Sequence, residues 1–474
     1  MKVRLIEPAP PGMHVYSKVH LPRLGLPAIG AALVAHGHDV AIYVADLDPI
    51  DWDDVYSADV VGFSTTTSTV TQAYDFADDL KGHGIPTIIG GPHVTFMADE
   101  ALAHADYVAR GEGGEELMLE LIDALQGRRL PESILGLSYH QDGAVHHNPL
   151  RPPTEDLDTL PFPDLTLIRG HERMRQTPIM TSWGCPFDCK FCSVTAMFGK
   201  KYRIRSPENV LAELKAKQPE RVFFYDDNFA ANRKRLKTLL QMIIDEGLHF
   251  SWSAQVRTDV ARDPELLDLM HRAGCWMVYL GLESINQTTL DAFDKSQSVE
   301  DITFAVRALH EHGIKSHGMF VLGADDDEKG IVRSTVDFAL KHKIDTVMLN
   351  ILTPLPGTPL FDEMDADGRI FDKRWYLYDA LHVVFTPQNM TPYELQRDAI
   401  AGYMRFYSPR VWLKYLFTLR VAKLVLTSWG ISIVRAWRKD KRNKDYLKAL
   451  KRLHLPKAPK LTKPRSVDSD GGVC

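Results

Sequence analysis

The chain has 474 residues, 45% apolar and 25% charged, a globular mix that excludes a disordered chain, a collagen-like fibre and a disulfide-stapled miniprotein. At roughly 100–200 residues per domain it holds two to four domains. The formal charge of −6 excludes a nucleic-acid polycation, yet residues 405–474 carry 18 Lys/Arg against 4 Asp/Glu, a net of +14, so an acidic body ends in a basic tail with a partner of its own.

Residues 1–125 alternate short apolar runs with helical patterns. The runs are 3–8, 40–46, 58–65, 86–91 and 105–112; helical segments at 26–37 and 69–84 lie between them. Strands alternating with helices predict a doubly wound parallel sheet, an α/β domain over 1–127. Residues 128–174 read as a proline-rich connector with one hairpin at 135–148, turning on Asp142-Gly143. The alternation resumes with strands expected at 179–184, 221–227, 250–257, 276–284, 316–324 and 346–354 and helices at 206–217 and 299–313. Six such units over 175–374 suggest a partial (β/α)6 TIM barrel, two short of a complete one. A C-terminal helical region follows over 375–460, then a disordered tail, 461–474. No uncharged apolar run is long enough to span a membrane, and the N-terminus lacks a signal peptide's apolar run.

The chain has five cysteines, and Cys185, Cys189 and Cys192 form a C-x3-C-x2-C loop directly after the first barrel strand. This is not the spread, paired pattern of an oxidising compartment, so a reducing, cytoplasmic setting is expected. Three thiolates can hold three corners of a [4Fe–4S] cubane and leave one iron open. Structural zinc is the alternative, but it takes a fourth ligand and no close Cys/His pair supplies one. Cys275 opens an apolar strand and reads as a buried hydrophobe; Cys474 reads as inert.

The cysteine loop and the strand ends after it resemble the radical S-adenosylmethionine (SAM) superfamily over about residues 175–365. The resemblance implies a [4Fe–4S] cluster on the three cysteines, SAM chelated at the open iron, and reductive cleavage to a 5′-deoxyadenosyl radical. It places Phe191 against the adenine, and Tyr225 and Asp227, in Tyr225-Asp226-Asp227-Asn228, at the end of the second strand. Glu283 and Ser284 end the fourth strand against the ribose or amino-acid part, and Val321-Leu322-Gly323 ends the fifth. Arg257, ending the third, suits the SAM carboxylate, with a structural ion pair the equal alternative. The resemblance further implies a low-potential electron donor of flavodoxin or ferredoxin type.

A doubly wound sheet binds ligands beyond the carboxyl ends of its strands. Ser64, Thr66 and Ser68 follow the third strand, and Gly90 and Gly91 the fourth. At that spacing they resemble the nucleotide-tail pocket of a cobalamin-binding domain, as does Arg110-Gly111-Glu112. The dinucleotide fingerprint G-x-G-x-x-G is absent. The D-x-H-x-x-G motif that supplies a cobalt-ligating histidine in many cobalamin domains is absent too; His14, His20, His36 and His38 read as surface or structural. Asp325 to Glu328 read as a solvated loop and helix start rather than a metal site.

Residues 409–441 mix Trp412, Leu416, Leu419, Leu426, Trp429, Ile433 and Trp437 with Arg410, Lys414, Arg420, Lys423, Arg435 and Arg438. As one long helix this segment suits a membrane interface, peripheral on the inner face; a helix packed on the barrel with a basic outer side is the level alternative. No RNA-binding motif accompanies the charge, so no nucleic acid is expected.

The resulting expectation is a cobalamin-dependent radical SAM enzyme, C-methylating a small hydrophobic lipid- or tetrapyrrole-like substrate. Cyclisation, rearrangement or oxidation without methyl transfer, and a non-enzymatic cobalamin or iron–sulfur carrier, are the rivals. A tRNA methylthiotransferase is disfavoured because residues 1–184 contain no cysteine. No residue stands out as a general acid or base.

Overall fold

A computed structural model describes residues 1–12, 21–187, 189–417 and 421–453. His14, His20, Leu419, Arg420, Cys474 and the expected tail 461–474 lie outside the described residues.

The first sheet contains β1 (Lys2–Glu7), β2 (Asp39–Val44), β3 (Val60–Ser64), β4 (Thr87–Gly90), β5 (Tyr107–Ala109), β6 (Leu137–Gln141) and β7 (Ala144–His147). Its order is β2-β1-β3-β4-β5-β6-β7. The first five strands are parallel, with residues such as Leu5, Ile6, Val61 and Ile89 buried from both sides, as a sheet covered on both faces requires. Helices α1 (Gly25–Ala35) and α2 (Val70–Gly82) provide part of that cover. The strand order reverses between β1 and β3, which makes their carboxyl ends the switch-point crevice. Part of the expected connector is sheet: β6 pairs antiparallel with β5, and β6 with β7. Asp142 and Gly143 both take positive φ, 52° and 77°, the conformation a two-residue hairpin turn selects.

The second sheet is open and entirely parallel. After β8 (Thr177–Ile179) the chain forms a separate antiparallel ribbon, β9 (Ser182–Trp183) with β10 (Arg203–Ile204). It then supplies β11 (Arg221–Phe224), β12 (Ser251–Val256), β13 (Cys275–Glu283), β14 (Lys315–Leu322) and β15 (Thr346–Ile351). The six strands run β15-β14-β13-β12-β11-β8. The single strand expected at 179–184 is therefore split. Asp226 causes the split: its carboxylate accepts Thr181 N at 3.1 Å, Thr181 Oγ1 at 2.7 Å and Ser182 Oγ, so Thr181 bonds a side chain where a strand would bond its neighbour. Helices α3 (Pro207–Lys217) and α4 (Val299–Glu311) start where their caps dictate, Ser206 accepting from Asn209 N and Ser298 forming a capping box with Asp301. Cys275 is buried, as expected.

Buried contacts join the two sheets. Arg203 on the ribbon makes a bidentate pair with Glu112 after β5, at 2.5 and 2.7 Å, the two side chains 2% and 6% exposed. Trp375 donates its indole N–H to Glu100 at 2.8 Å, and Trp375, Tyr378, Tyr446 and Leu450 enter the same apolar core as Ile6 and Phe63.

The C-terminal region corrects one expectation. After α5 (Pro392–Phe406), the segment read as one long helix forms α6 (Pro409–Phe417) and α7 (Val421–Lys439), followed by α8 (Lys441–Arg452). Trp412 Nε1 donates to Ser428 Oγ at 2.8 Å. In a continuous helix sixteen residues would separate them by about 24 Å, so the chain folds back on itself. Ile433 and Trp437, expected on a lipid-facing stripe, are buried, and Lys423 is bound to Asp345 at 2.8 Å. Leu413, Leu416, Phe417, Val421, Val425 and Trp429 are exposed, Phe417 to 82%. Among the described residues no helix is long and apolar enough to cross a membrane.

Helix α8 is held by buried His382. Its Nδ1 lies 2.9 Å from an Asp379 carboxylate oxygen and its Nε2 3.0 Å from Asn443 Oδ1. Asn443 Nδ2 is already committed to Trp437 O at 3.0 Å, so its oxygen faces the ring and both ring nitrogens donate. Burial opposes that charge, but Asp379, Asn443 and Asp440 outweigh it and hold the His382 pKa above its ordinary value. A raised folded pKa gives stability that is full below the unfolded value of about 6.5 and is lost as pH rises through the folded pKa. Melting curves over about pH 6–9 are expected to show the wild type losing more stability than His382→Gln, which cannot titrate.

Candidate active site

The cysteine loop lies over the carboxyl ends of the second sheet, bounded by the ribbon. Cys185, Cys189 and Cys192 are half-buried and free of disulfides, and Cys192 N bonds Cys189 O at 2.9 Å. Burial pushes all three thiols up, Cys192 to about 12, and each is raised further by acidic or thiol neighbours. Thiols so placed stay protonated until a metal's positive charge ionises them. Among the described residues no three His, Cys, Asp or Glu converge to hold a single metal ion. A zinc site needs that convergence, whereas a cubane takes each thiolate on a different iron. Three adjacent soft ligands in one loop thus fit a cluster.

Around the loop stand most of the residues singled out from the sequence. Phe191 meets Phe293 edge-on at 4.9 Å. Arg257 lies over the Phe187 ring at 3.8 Å and donates to Lys295 O, while its buried Nε makes no hydrogen bond and has Asp259 Oδ1 at 3.9 Å. Glu283 takes a left-handed φ of 58°, uncommon for a residue with a Cβ, and is paired with Lys295 Nζ at 2.6 Å. Ser284 Oγ accepts Asn286 N at 3.0 Å, a turn contact.

The two aspartates after β11 divide the work. Asp226 is fully buried and anchors Thr181. Asp227 is open to solvent yet walled by protein, and desolvation, with Asp226 adding to it, pushes its pKa up to about 7. Openness combined with a strong desolvation effect describes a side chain lining a cleft. Asp325–Glu328 departs from the expected solvated loop: Asp325 is bound by Arg369 at 2.6 Å, and buried Asp327 accepts Gly323 N at 2.9 Å.

At the carboxyl ends of the first sheet, Ser64, Thr66 and Ser68 are half-open while Thr65, Thr67 and Thr69 between them are buried. Three hydroxyls therefore share the crevice side. Thr65 N donates to Gly90 O at 2.9 Å. Gly91 has φ 115°, and a Cβ there would sit 2.2 Å from Thr65 O; the glycine lets the β3 and β4 loops touch, in addition to any approach of a ligand. Arg23 donates to Ser64 O at 2.8 Å and its backbone N to Glu7 at 3.0 Å. Burial pushes the Glu7 carboxyl up despite Arg23. Arg23 and Glu7 also act electrostatically on Tyr225, so the carboxyl ends of the two sheets face one another. Hydroxyl donors and tightly apposed loops on one side, and three thiols on the other, fit a cobalamin opposite a cluster. His36 and His38 lie away from this cleft, bonded to Ala32 O and the N-terminal amine.

Sequence reasoning missed Lys295, Phe187, Arg23 and Glu7. Phe187 was legible from its place inside the cysteine loop; Lys295, twelve residues beyond Glu283, has no local signal.

Residues 179–334 match the model of the Radical SAM superfamily and residues 14–120 that of the B12 binding domain. An uncharacterized methyltransferase from Pyrococcus horikoshii is 33% identical over 416 residues, covering 84% of this chain and 90% of that protein. The chain belongs to the B12-binding radical SAM family. Its cofactors are a [4Fe–4S] cluster, SAM and cobalamin. Within the family, the bacteriochlorophyllide d C-12(1)-methyltransferase of Chlorobaculum tepidum is 32% identical over 344 residues, 70% of this chain and 71% of that one. The hopanoid C-2 methylase of Rhodopseudomonas palustris is 26% identical over 336 residues, 67% of this chain and 59% of that one. The fold is that of TsrM from Kitasatospora setae with cobalamin and [4Fe–4S] cluster bound, at a TM-score of 0.67 and 18% identity over 86% of this chain and 90% of that one.

For this B12-binding radical SAM enzyme, Gly91→Ala adds backbone strain of about 1–3 kcal/mol and a clash with Thr65. The variant is expected to melt lower and to retain less cobalamin after gel filtration, read from its visible absorption; Gly84→Ala, whose added Cβ meets nothing within 4 Å, supplies the comparison for backbone strain alone.

Proposed function

We propose that the enzyme methylates a carbon of a hydrophobic polycyclic substrate, lipid- or tetrapyrrole-like, with electrons from a flavodoxin- or ferredoxin-type donor. The observation that carries this reading is the concave face of the second sheet. Side chains alternate along a strand. Val222, Phe224, Ala254, Val278, Leu280 and Leu349 are buried in the helix-facing core, whereas Phe223, Tyr225, Tyr279, Met319 and Met348 are only half-buried. The latter set lines an aromatic, Met-rich chamber directly below the cysteines, a surface suited to a flat apolar molecule.

In this reading Cys185, Cys189 and Cys192 hold the cluster, and Phe191, Tyr225, Asp227, Arg257, Glu283 and Ser284 surround SAM. Ser64, Thr66, Ser68, Gly90 and Gly91 hold cobalamin. When bound, the cluster and SAM supply a carbon-centred radical and cobalamin a methyl group. The protein's part is orientation and exclusion of water. Lys295 fixes the Glu283 carboxylate, Phe187 covers the Arg257 guanidinium, and the joined sheets close the chamber from the side. The family relatives that act on bacteriochlorophyllide and on hopanoids support the substrate class.

Anaerobic reconstitution with iron, sulfide and cobalamin, followed by SAM and a low-potential reductant, tests the reaction. 5′-Deoxyadenosine and S-adenosylhomocysteine are expected in comparable amounts, only with cobalamin, and Cys189→Ala is expected to lose both. Deoxyadenosine alone would move the reading to radical chemistry without methyl transfer; neither product, from protein with an intact cluster, would overturn it.

The exposed apolar residues of α6 and α7 support peripheral attachment to a membrane. Leu416, Phe417, Val421, Val425 and Trp429 lie in the most basic part of the chain, suited to anionic lipid. Co-sedimentation with phosphatidylglycerol vesicles is expected, and Phe417→Glu with Val421→Glu should abolish it. Equal sedimentation of wild type and double variant would remove these residues from the interaction.

A further inference from the structure

The chamber below the cysteine loop has a more specific chemistry than its apolarity. Phe223 stands edge-on to Tyr225, centroids 5.7 Å apart, and to Tyr279, 5.5 Å apart. Phe223 and Tyr279 meet across β12, where Phe223 is in register with small Ser253 and Tyr279 with Gln255. Tyr279 then contacts the His317 ring at 4.6 Å, so an aromatic strip runs over β11, β13 and β14. Met319 and Asn350 continue the concave face. None of these six wall residues is charged. The charged groups, Arg257, Asp227 and Glu283, stand at the mouth, and Arg257 is already spread over Phe187.

His317 is the exception in this wall. Its Nδ1 is fixed by Thr346 Oγ1 at 2.7 Å, while Nε2 is buried with no partner among the described residues. Burial pushes the pKa of His317 down to about 4, so the ring is a neutral imidazole at physiological pH. A buried polar atom without a partner costs about 1–3 kcal/mol and marks a place where a ligand atom belongs. If Nδ1–H donates to Thr346, Nε2 accepts from a hydroxyl; in the other tautomer it donates to a carbonyl. Met319, unbranched and flexible, can yield to let such a group in.

Building on the methylase reading, we infer that His317 is a specificity-determining residue, receiving the single neutral oxygen function of an uncharged polycyclic substrate whose rings lie along the Phe223–Tyr279 strip. The substrate class is then a terpenoid-like alcohol or ketone. A macrocyclic dicarboxylate finds no cation among Phe223, Tyr225, Tyr279, His317, Met319 and Asn350.

The full-chain holoenzyme, titrated in detergent micelles and followed by intrinsic fluorescence, tests this with three probes: a pentacyclic triterpene alcohol, its parent hydrocarbon and protoporphyrin IX. The wild type is expected to prefer the alcohol over the hydrocarbon by about tenfold, the worth of one buried hydrogen bond. His317→Ala should erase that preference, bringing the alcohol and the hydrocarbon to equal affinity, and cluster and cobalamin absorbance reports that it is folded. Thr346→Val, which releases the ring, should reduce the preference partway. Equal weakening of alcohol and hydrocarbon in His317→Ala would show a merely structural role and overturn the inference. So would tighter binding of protoporphyrin IX than of the alcohol, or no binding of either terpenoid. Selective terpenoid binding without SAM cleavage would instead overturn the methylase reading and leave His317 in place.

Discussion

The buried pair between Arg203 and Glu112 joins the two halves of the site. Arg203 belongs to the ribbon that bounds the cysteine loop, and Glu112 follows the last parallel strand of the first sheet. Two charges almost out of water are tolerable only when they meet in good geometry, and removing one partner of such a pair typically costs about 3–5 kcal/mol. Because the contact is bidentate, it sets orientation as well as distance. The position of the three thiols relative to the crevice of the first sheet therefore depends on one guanidinium and one carboxylate far apart in the chain.

Around that anchor, the cleft is shaped by the way each sheet ends. In the first, the reversal of strand order opens a crevice beyond β1 and β3, and Gly91 lets the loops after β3 and β4 meet at Thr65. In the second, six strands leave the barrel open, so the concave face that a complete barrel would fill with side chains stays lined by half-buried aromatic and sulfur-containing residues. Asp227, Arg257, Glu283 and Lys295 gather by the cysteines, while Phe223, Tyr279 and Met319 beneath them are uncharged. A polar cofactor and an apolar substrate can thus occupy adjoining volumes without either meeting the other's environment.

The C-terminal region closes this arrangement from outside. Trp375 and Tyr446 enter the core of the first sheet, while Tyr403 and Tyr407 bond the backbone of β15 through their hydroxyls. His382 links the two sets through α8. Helices α6 and α7 also leave Leu413, Phe417, Val421, Val425 and Trp429 exposed, so one segment serves both as a clamp and as an exposed surface.

Local chemistry made much of this legible from sequence. The apolar runs at 3–8, 58–65 and 276–284 are strands because buried strands need near-continuous apolar residues. Ser206 and Ser298 start helices because their hydroxyls satisfy open backbone N–H groups, and Asp142-Gly143 turns a hairpin because both residues accept positive φ. The spacing of Cys185, Cys189 and Cys192 announced a cluster, since three thiols in one loop need no distant partner. Long-range geometry decided the rest. The 409–438 pattern has helical periodicity throughout, and only the bond from Trp412 to Ser428 shows that it doubles back. Asp226 and Asp227 are neighbours of one type, separated in role because the turn after β11 leaves one in the core and the other in the cleft. Lys295 meets Glu283, and His317 meets Tyr279, through turns and strand pairing that no local spacing encodes. Periodicity, caps and turns act within a few residues and are written in the sequence; which side chains share a cavity is set by how distant strands register, and that exists only once the chain is folded.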